Sequence, residues 1–194
     1  MLCISTSGAL GRYVRLDPPL TIFYRSIIGF FFLFLVLSIS GKRIKRSTLI
    51  SRHVLISSVL MAAHWITYFY ALRYSNVAVA MLSLFTYPII TALLEPIFIK
   101  TSKIDGMHVF FGLLLMVGIY FLVPSLSLSD AITKGVFFGV MSSICYSIRN
   151  ILLKIKVVEV DAIRLMAVQT LIISILLFPA VFLFDHEPLK TDWW

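Results

Sequence analysis

Charge is what this 194-residue chain lacks: Asp, Glu, Lys and Arg make up only 13% of it, with nine acids against 17 basic residues. A soluble domain must cover its core with polar surface, and a chain that is 60% hydrophobic has too little charge to do so. The two cysteines, Cys3 and Cys145, lie in apolar segments without metal-type spacing and make no disulfide framework. Enzyme signatures are missing as well. There is no Walker-type glycine loop, no HExxH and no pair of carboxylates within one apolar run. His53, His64, His108 and His186 are scattered, without the spacing of a metal site. The sequence therefore predicts no enzyme, no cofactor and no metal. Met1 opens directly into LCISTSGAL, with neither a basic n-region nor a small-residue cleavage site, so no removable leader is expected.

What the chain has instead is long apolar runs. Its mean hydropathy is +0.99, and the runs reach about 20 residues, enough to cross a ~30 Å hydrocarbon core at ~1.5 Å per residue. Six full spans are expected at 20–40, 54–73, 76–99, 106–124, 135–154 and 164–184, preceded by a stub at 1–14. A membrane barrel is excluded, because its segments alternate and run only ~10 residues. The predicted fold class is an all-α, polytopic helical membrane protein.

The basic excess belongs to orientation rather than to nucleic acid. One alternate set of loops carries Lys42, Arg43, Lys45, Arg46, Arg52, Lys100, Lys103, Lys154 and Lys156. The other carries only Arg12, Arg15, Arg73, Lys134 and Lys190, offset by Asp17, Asp130, Asp185, Glu187 and Asp192. The richer set marks the cytoplasmic side, which places the amino terminus there too.

The chain also echoes itself. DPPLTIFYRSIIGFFFLFL at 17–35 resembles DAIRLMAVQTLIISILLFP at 161–179, each with a loop aspartate before an apolar span and one polar residue at the matching place, Arg25 or Gln169. Five spans fit within one period, an odd number, so a second copy is inverted in the membrane. Inverted repeats are an architecture of secondary transporters.

The pieces PPLTIFYR, the basic GKR after it, YALRYSNVAVAMLSLFTYPIITALL, FGLLLMVGIYFL and KGVFFGVMSSICYSIRNILLK cover nearly the whole chain. Together they resemble the EamA-type branch of the drug/metabolite transporter superfamily, ten-helix carriers built of two inverted five-helix repeats. The resemblance implies a first repeat over 1–127, its first span shortened, and the start of a second over 133–194. Spans eight to ten have no counterpart, so the chain reads as truncated. The implied function is secondary-active transport, in the direction of efflux, of small organic metabolites or drugs by alternating access in the inner membrane, with a proton as a coupling partner. The alternative is a non-transporting fragment or assembly subunit that dimerises or finds the missing helices in trans. One departure concerns the acidic residue that the family places after the fourth span. Aligned on Pro88, that position is Thr101 here, and the carboxylate lies earlier, at Glu95.

Charged side chains within a span cost roughly 2.5–3.5 kcal/mol near its centre, so each needs a partner or a wet cavity. Arg25 near the outer side and Glu95 near the cytoplasmic side differ in depth by roughly 15 Å at ~1.5 Å per residue, too far to pair. Arg149 shares the depth of Glu95, which makes these two a candidate gate pair or a helix-to-helix tie. Arg25 in a cavity would bind a carboxylate or phosphate; against backbone carbonyls it is structural. His64 and Tyr68, four residues apart, share a helix face that suits an organic substrate, with His64 able to relay a proton; ordinary packing is the alternative. Thr86, Tyr87 and Thr91 place hydroxyls around Pro88, which frees the carbonyl of Leu84 and can kink its helix. Tyr146 and Gln169 are further cavity candidates, each able to bond a neighbouring helix instead. Gly135 and Gly139 form a GxxxG pair, expected to serve close packing.

Overall fold

The computed structural model describes residues 16–41, 51–99, 106–122, 130–157 and 160–184, and its regular elements there are all helices. They are α1 (Pro18–Ile39), α2 (Arg52–Tyr74), α3 (Val77–Leu84), α4 (Tyr87–Phe98), α5 (Gly106–Leu122), α6 (Ala131–Lys156), α7 (Ala162–Leu177) and α8 (Ala180–Leu183). The expected stub, most of the basic loop residues and Thr101 lie outside the described residues. Five stretches are long and apolar enough to cross a membrane: Pro18–Ile39, Arg52–Tyr74, Val77–Phe98, Ala131–Lys156 and Ala162–Leu183. The remaining expected span appears as α5, 17 described helical residues.

Local chemistry sets where these helices start and break. Pro18 and Pro19 occupy the opening turn of α1, where a missing N–H costs nothing because no carbonyl awaits it. After that helix, Gly41 takes a left-handed φ of 64°, a conformation that strains any residue with a Cβ. Asn76 Oδ1 accepts the Val79 N–H at 2.8 Å and so caps α3. Asp161 Oδ1 does the same for α7, accepting from Ile163 at 3.0 Å and from Arg164 at 3.4 Å. The two longest departures from the expected spans are breaks. The fourth span divides between Leu84 and Tyr87, and the last divides at Phe178–Pro179.

The described residues form two compact units, one within Ala63–Ile151 and the other within Arg15–Ala62 and Leu152–Trp194. In the second, α1 lies along α7, with the Phe23 and Phe178 rings 6.2 Å apart. Val54, Val157, Leu165 and Val168 form its apolar cluster, flanked by Leu153, Val160 and Ile172. In the first unit, α5 rests on α3 and α4. A Cβ on Gly112 would fall 2.6 Å from Ile89 Cγ1, and one on Gly118 would fall 3.7 Å from Leu82.

Unlike that of a soluble protein, the outer face is largely apolar, while small hydroxyl residues share the interior with apolar ones. Ser26, Ser57, Ser58, Ser83, Ser142, Ser143 and Ser147 are fully enclosed, whereas Phe31, Phe32, Phe110, Phe111 and Phe121 are exposed. Lipid accepts large apolar side chains without penalty, and helices in lipid approach one another through small residues. The chain is a multi-pass helical membrane protein.

Candidate functional site

The break in the fourth span draws the polar groups of the first unit together. Pro88 has no N–H to offer the Leu84 carbonyl, and α3 has already ended there. Ser143, on α6, takes up that place. Its Oγ lies 2.8 Å from Leu84 O, 2.9 Å from Ser83 O and 3.0 Å from Gly139 O, with one proton to give. Thr86 Oγ1 donates to Ser83 O at 2.7 Å, and Ser147 Oγ donates to Tyr87 O at 2.9 Å. Thr91 Oγ1 bonds the same Tyr87 carbonyl at 2.7 Å. The expected kink at Pro88 is therefore a short turn at Phe85 and Thr86 within a span that still runs Val77–Phe98, bridged from the side by α6 hydroxyls.

Such an approach needs small residues, and α6 provides one on every fourth position: Gly135, Gly139, Ser143 and Ser147. A Cβ on Gly135 would collide with Ser75, and one on Gly139 would fall 2.5 Å from Ser83 Cβ. The glycine pair expected to serve close packing does so against α3 and against Ser75, the residue that follows α2.

Beside the break lies an aromatic–imidazole cluster. His64 on α2 is buried, and its ring stacks on Tyr146 with centroids 4.7 Å apart and planes at 30°. Tyr87 meets Tyr146 edge-on at 5.0 Å. The buried Arg149 guanidinium lies 5.9 Å from the Tyr146 ring centroid, within cation–π range, and bonds Asn150 Oδ1 at 3.2 Å. His64 Nδ1 is 2.8 Å from Ser142 Oγ and 3.1 Å from Ser142 O, while Ser142 Oγ lies 2.9 Å from His64 O. One imidazole, one guanidinium and two tyrosine rings thus meet beside the helix break.

Of the expected site residues, His64, Thr86, Tyr87, Thr91, Tyr146 and Arg149 gather in this one unit. Tyr68 is buried one turn from His64 on the same helix face. Glu95 is half-buried on α4, about two turns beyond Tyr87. Arg25 and Gln169 belong to the other unit. Arg25 lies on an exposed face of α1. Gln169 is fully buried and donates from Nε2 to Ser57 Oγ at 2.8 Å, a helix-to-helix bond. Three participants escaped the sequence: Ser142, Ser143 and Ser147. The four-residue spacing from Gly135 carried the signal for two of them. Among the described residues, no three His, Cys, Asp or Glu side chains group closely enough to hold a metal ion.

Residues 1–123 match the EamA-like transporter family. The matched stretch contains His64, the broken span and α5, and stops before α6. No curated protein and no solved structure matches the chain.

Proposed function

The chain belongs to the EamA-like transporter family, and on that premise we propose that it is a secondary-active carrier exporting small organic metabolites or drugs across the inner membrane by alternating access. The observation that carries this proposal is the interrupted span Val77–Phe98 with His64, Tyr146 and Arg149 gathered beside the interruption. Broken helices are where carriers of this architecture bind solutes, and here the break sets side chains rather than bare carbonyls beside the span. Tyr87 and Tyr146 supply faces on which a planar or apolar solute stacks. Arg149 supplies the charge for an anionic or zwitterionic group, and Glu95 with Arg149 forms the cytoplasmic-side gate. The driving force is a proton or substrate gradient rather than ATP, and the amino terminus is cytoplasmic.

The test uses the chain reconstituted in liposomes of phosphatidylethanolamine and phosphatidylglycerol. Counterflow of a labelled mixture of the common amino acids, and of ethidium, is compared with empty vesicles. Transport of either that falls sharply in Tyr146→Ala is the expected result. Reconstituted protein that is stable and moves neither overturns the carrier function and leaves an assembly subunit, completed by further helices in trans, in its place. For the gate, Glu95→Arg and Arg149→Glu should each abolish transport and together restore it. A double reversal that inserts normally and stays inactive removes the pairing.

A further inference from the structure

We propose that the ends of α2, α6 and α7 form a binding site for an anionic phospholipid, whose headgroup phosphate is held between Arg52, Lys156 and Arg164. The site goes beyond the carrier function and does not depend on it. It begins with packing. Val54, Val157, Leu165 and Val168 meet in one buried apolar cluster, with Leu153 and Val160 against it. Each of the three cations adjoins a member of that cluster in sequence. Arg52 stands two residues before Val54, Lys156 directly before Val157, and Arg164 directly before Leu165. Orientation in a membrane asks only that basic residues share a side. The cluster does more, since it draws the first residue of α2, the last of α6 and the first turn of α7 to one place.

That place lies at headgroup depth, because Arg52–Tyr74, Ala131–Lys156 and Ala162–Leu183 are all membrane-length stretches and the cations stand at their ends. Arg52 and Lys156 are exposed. Arg164 is half-buried, and its Nε is enclosed with no hydrogen-bond partner. An enclosed N–H without an acceptor is costly, and a phosphate oxygen suits a guanidinium in both charge and geometry. The acids in this part of the sequence are Asp161 and Glu159. Asp161 Oδ1 already accepts the Ile163 and Arg164 amides, and Glu159 lies outside the described residues. Counting Lys154, four basic residues stand against those two acids, and the surplus favours an anionic ligand. The flank of α2 makes that ligand a lipid rather than a free phosphate. Leu55, Ile56 and Val59 follow Arg52 at the three-, four- and seven-residue steps of one helix face, and all three are exposed. A headgroup at Arg52 therefore has an apolar strip for its acyl chains on the same helix.

The test measures binding of phosphatidylglycerol with a fluorescent acyl chain to the full chain in an uncharged detergent, against phosphatidylcholine carrying the same label. Phosphatidylglycerol should bind more tightly; equal affinities overturn the proposal. Arg52→Gln, Lys156→Gln and Arg164→Gln should each weaken its binding about fivefold, the equivalent of ~1 kcal/mol for one basic residue near an anionic surface. Arg52→Lys should bind nearly as well as the wild type, which separates lost charge from lost fold; a loss equal to that of Arg52→Gln overturns the electrostatic account. Lys134→Gln removes a charge from the opposite end of α6 and should change nothing. An equal loss there would mean attraction by net charge alone, and would remove the site. Glycerol 3-phosphate in large excess should leave the labelled lipid in place, whereas displacement would reveal a site for a free phosphate and overturn the lipid assignment.

Discussion

Adding one methyl group at Gly139 and at Gly112 should have different consequences. At Gly139 the new Cβ meets Ser83 Cβ at 2.5 Å, an atom one bond from the backbone that cannot turn aside. At Gly112 it meets Ile89 Cγ1 at 2.6 Å and Cδ1 at 2.9 Å, atoms one or two bonds farther from the backbone than a Cβ. Gly139→Ala is therefore expected to cost ~1–3 kcal/mol, the usual range for overpacking, and Gly112→Ala less. Gly118→Ala, with its nearest neighbour 3.7 Å away, should be close to neutral. Thermal unfolding of the three purified variants in detergent checks this order. The role of Gly135 and Gly139 was legible in the sequence because two glycines one turn apart have few other uses in an apolar helix. Ser142 was not. A serine in such a helix reads the same whether it bonds its own backbone, as Ser58 does to Val54 O at 2.7 Å, or fixes a neighbour's imidazole.

At the scale of elements, the interruption between α3 and α4 depends on one absent donor. Pro88→Ala returns an N–H to Leu84 O and should join α3 to α4. Amide hydrogen exchange around Thr86–Ile89 would slow, and transport would fall if the break serves binding; unaltered exchange would sink this account of the break. The tie between α2 and α7 is a separate matter. A double-mutant cycle on Ser57→Ala and Gln169→Leu should return about 0.6 kcal/mol of coupling, the average for buried hydrogen bonds between membrane helices. Pro88 announced the first break, since the carbonyl it frees can be counted from the sequence alone. The second break, at Phe178–Pro179, was hidden because Pro179 stands near the end of an apolar run, where a proline also marks a helix terminus. For Arg25 and Gln169, polarity within a span shows that a partner is needed, not which side of the helix supplies it. The burial of one and the exposure of the other required coordinates.

Across the whole molecule, the helical fold was readable because lipid forces every backbone group to be satisfied within its own segment, so long apolar runs have one solution. Orientation is testable at the same scale. In a background with Cys3 and Cys145 replaced by serine, a cysteine at Lys42 should be shielded from an impermeant maleimide applied outside cells, and one at Lys134 should react. The reverse pattern would refute a cytoplasmic amino terminus. The bare apolar flank of α5 and the enclosed hydroxyls of α6 state the same solvent preference from opposite sides.

Ser143 adds something that stability alone does not require. Three carbonyls compete for its single proton at distances that differ by only 0.2 Å, from 2.8 to 3.0 Å. The hydroxyl can therefore change allegiance from one turn to another while the total of hydrogen bonds stays the same. Water is not at hand in a hydrocarbon core to soften the exchange, so this near-degeneracy lets the broken span alter its bend without stranding a donor on the way. A joint of that kind is stiff against separation and compliant in angle.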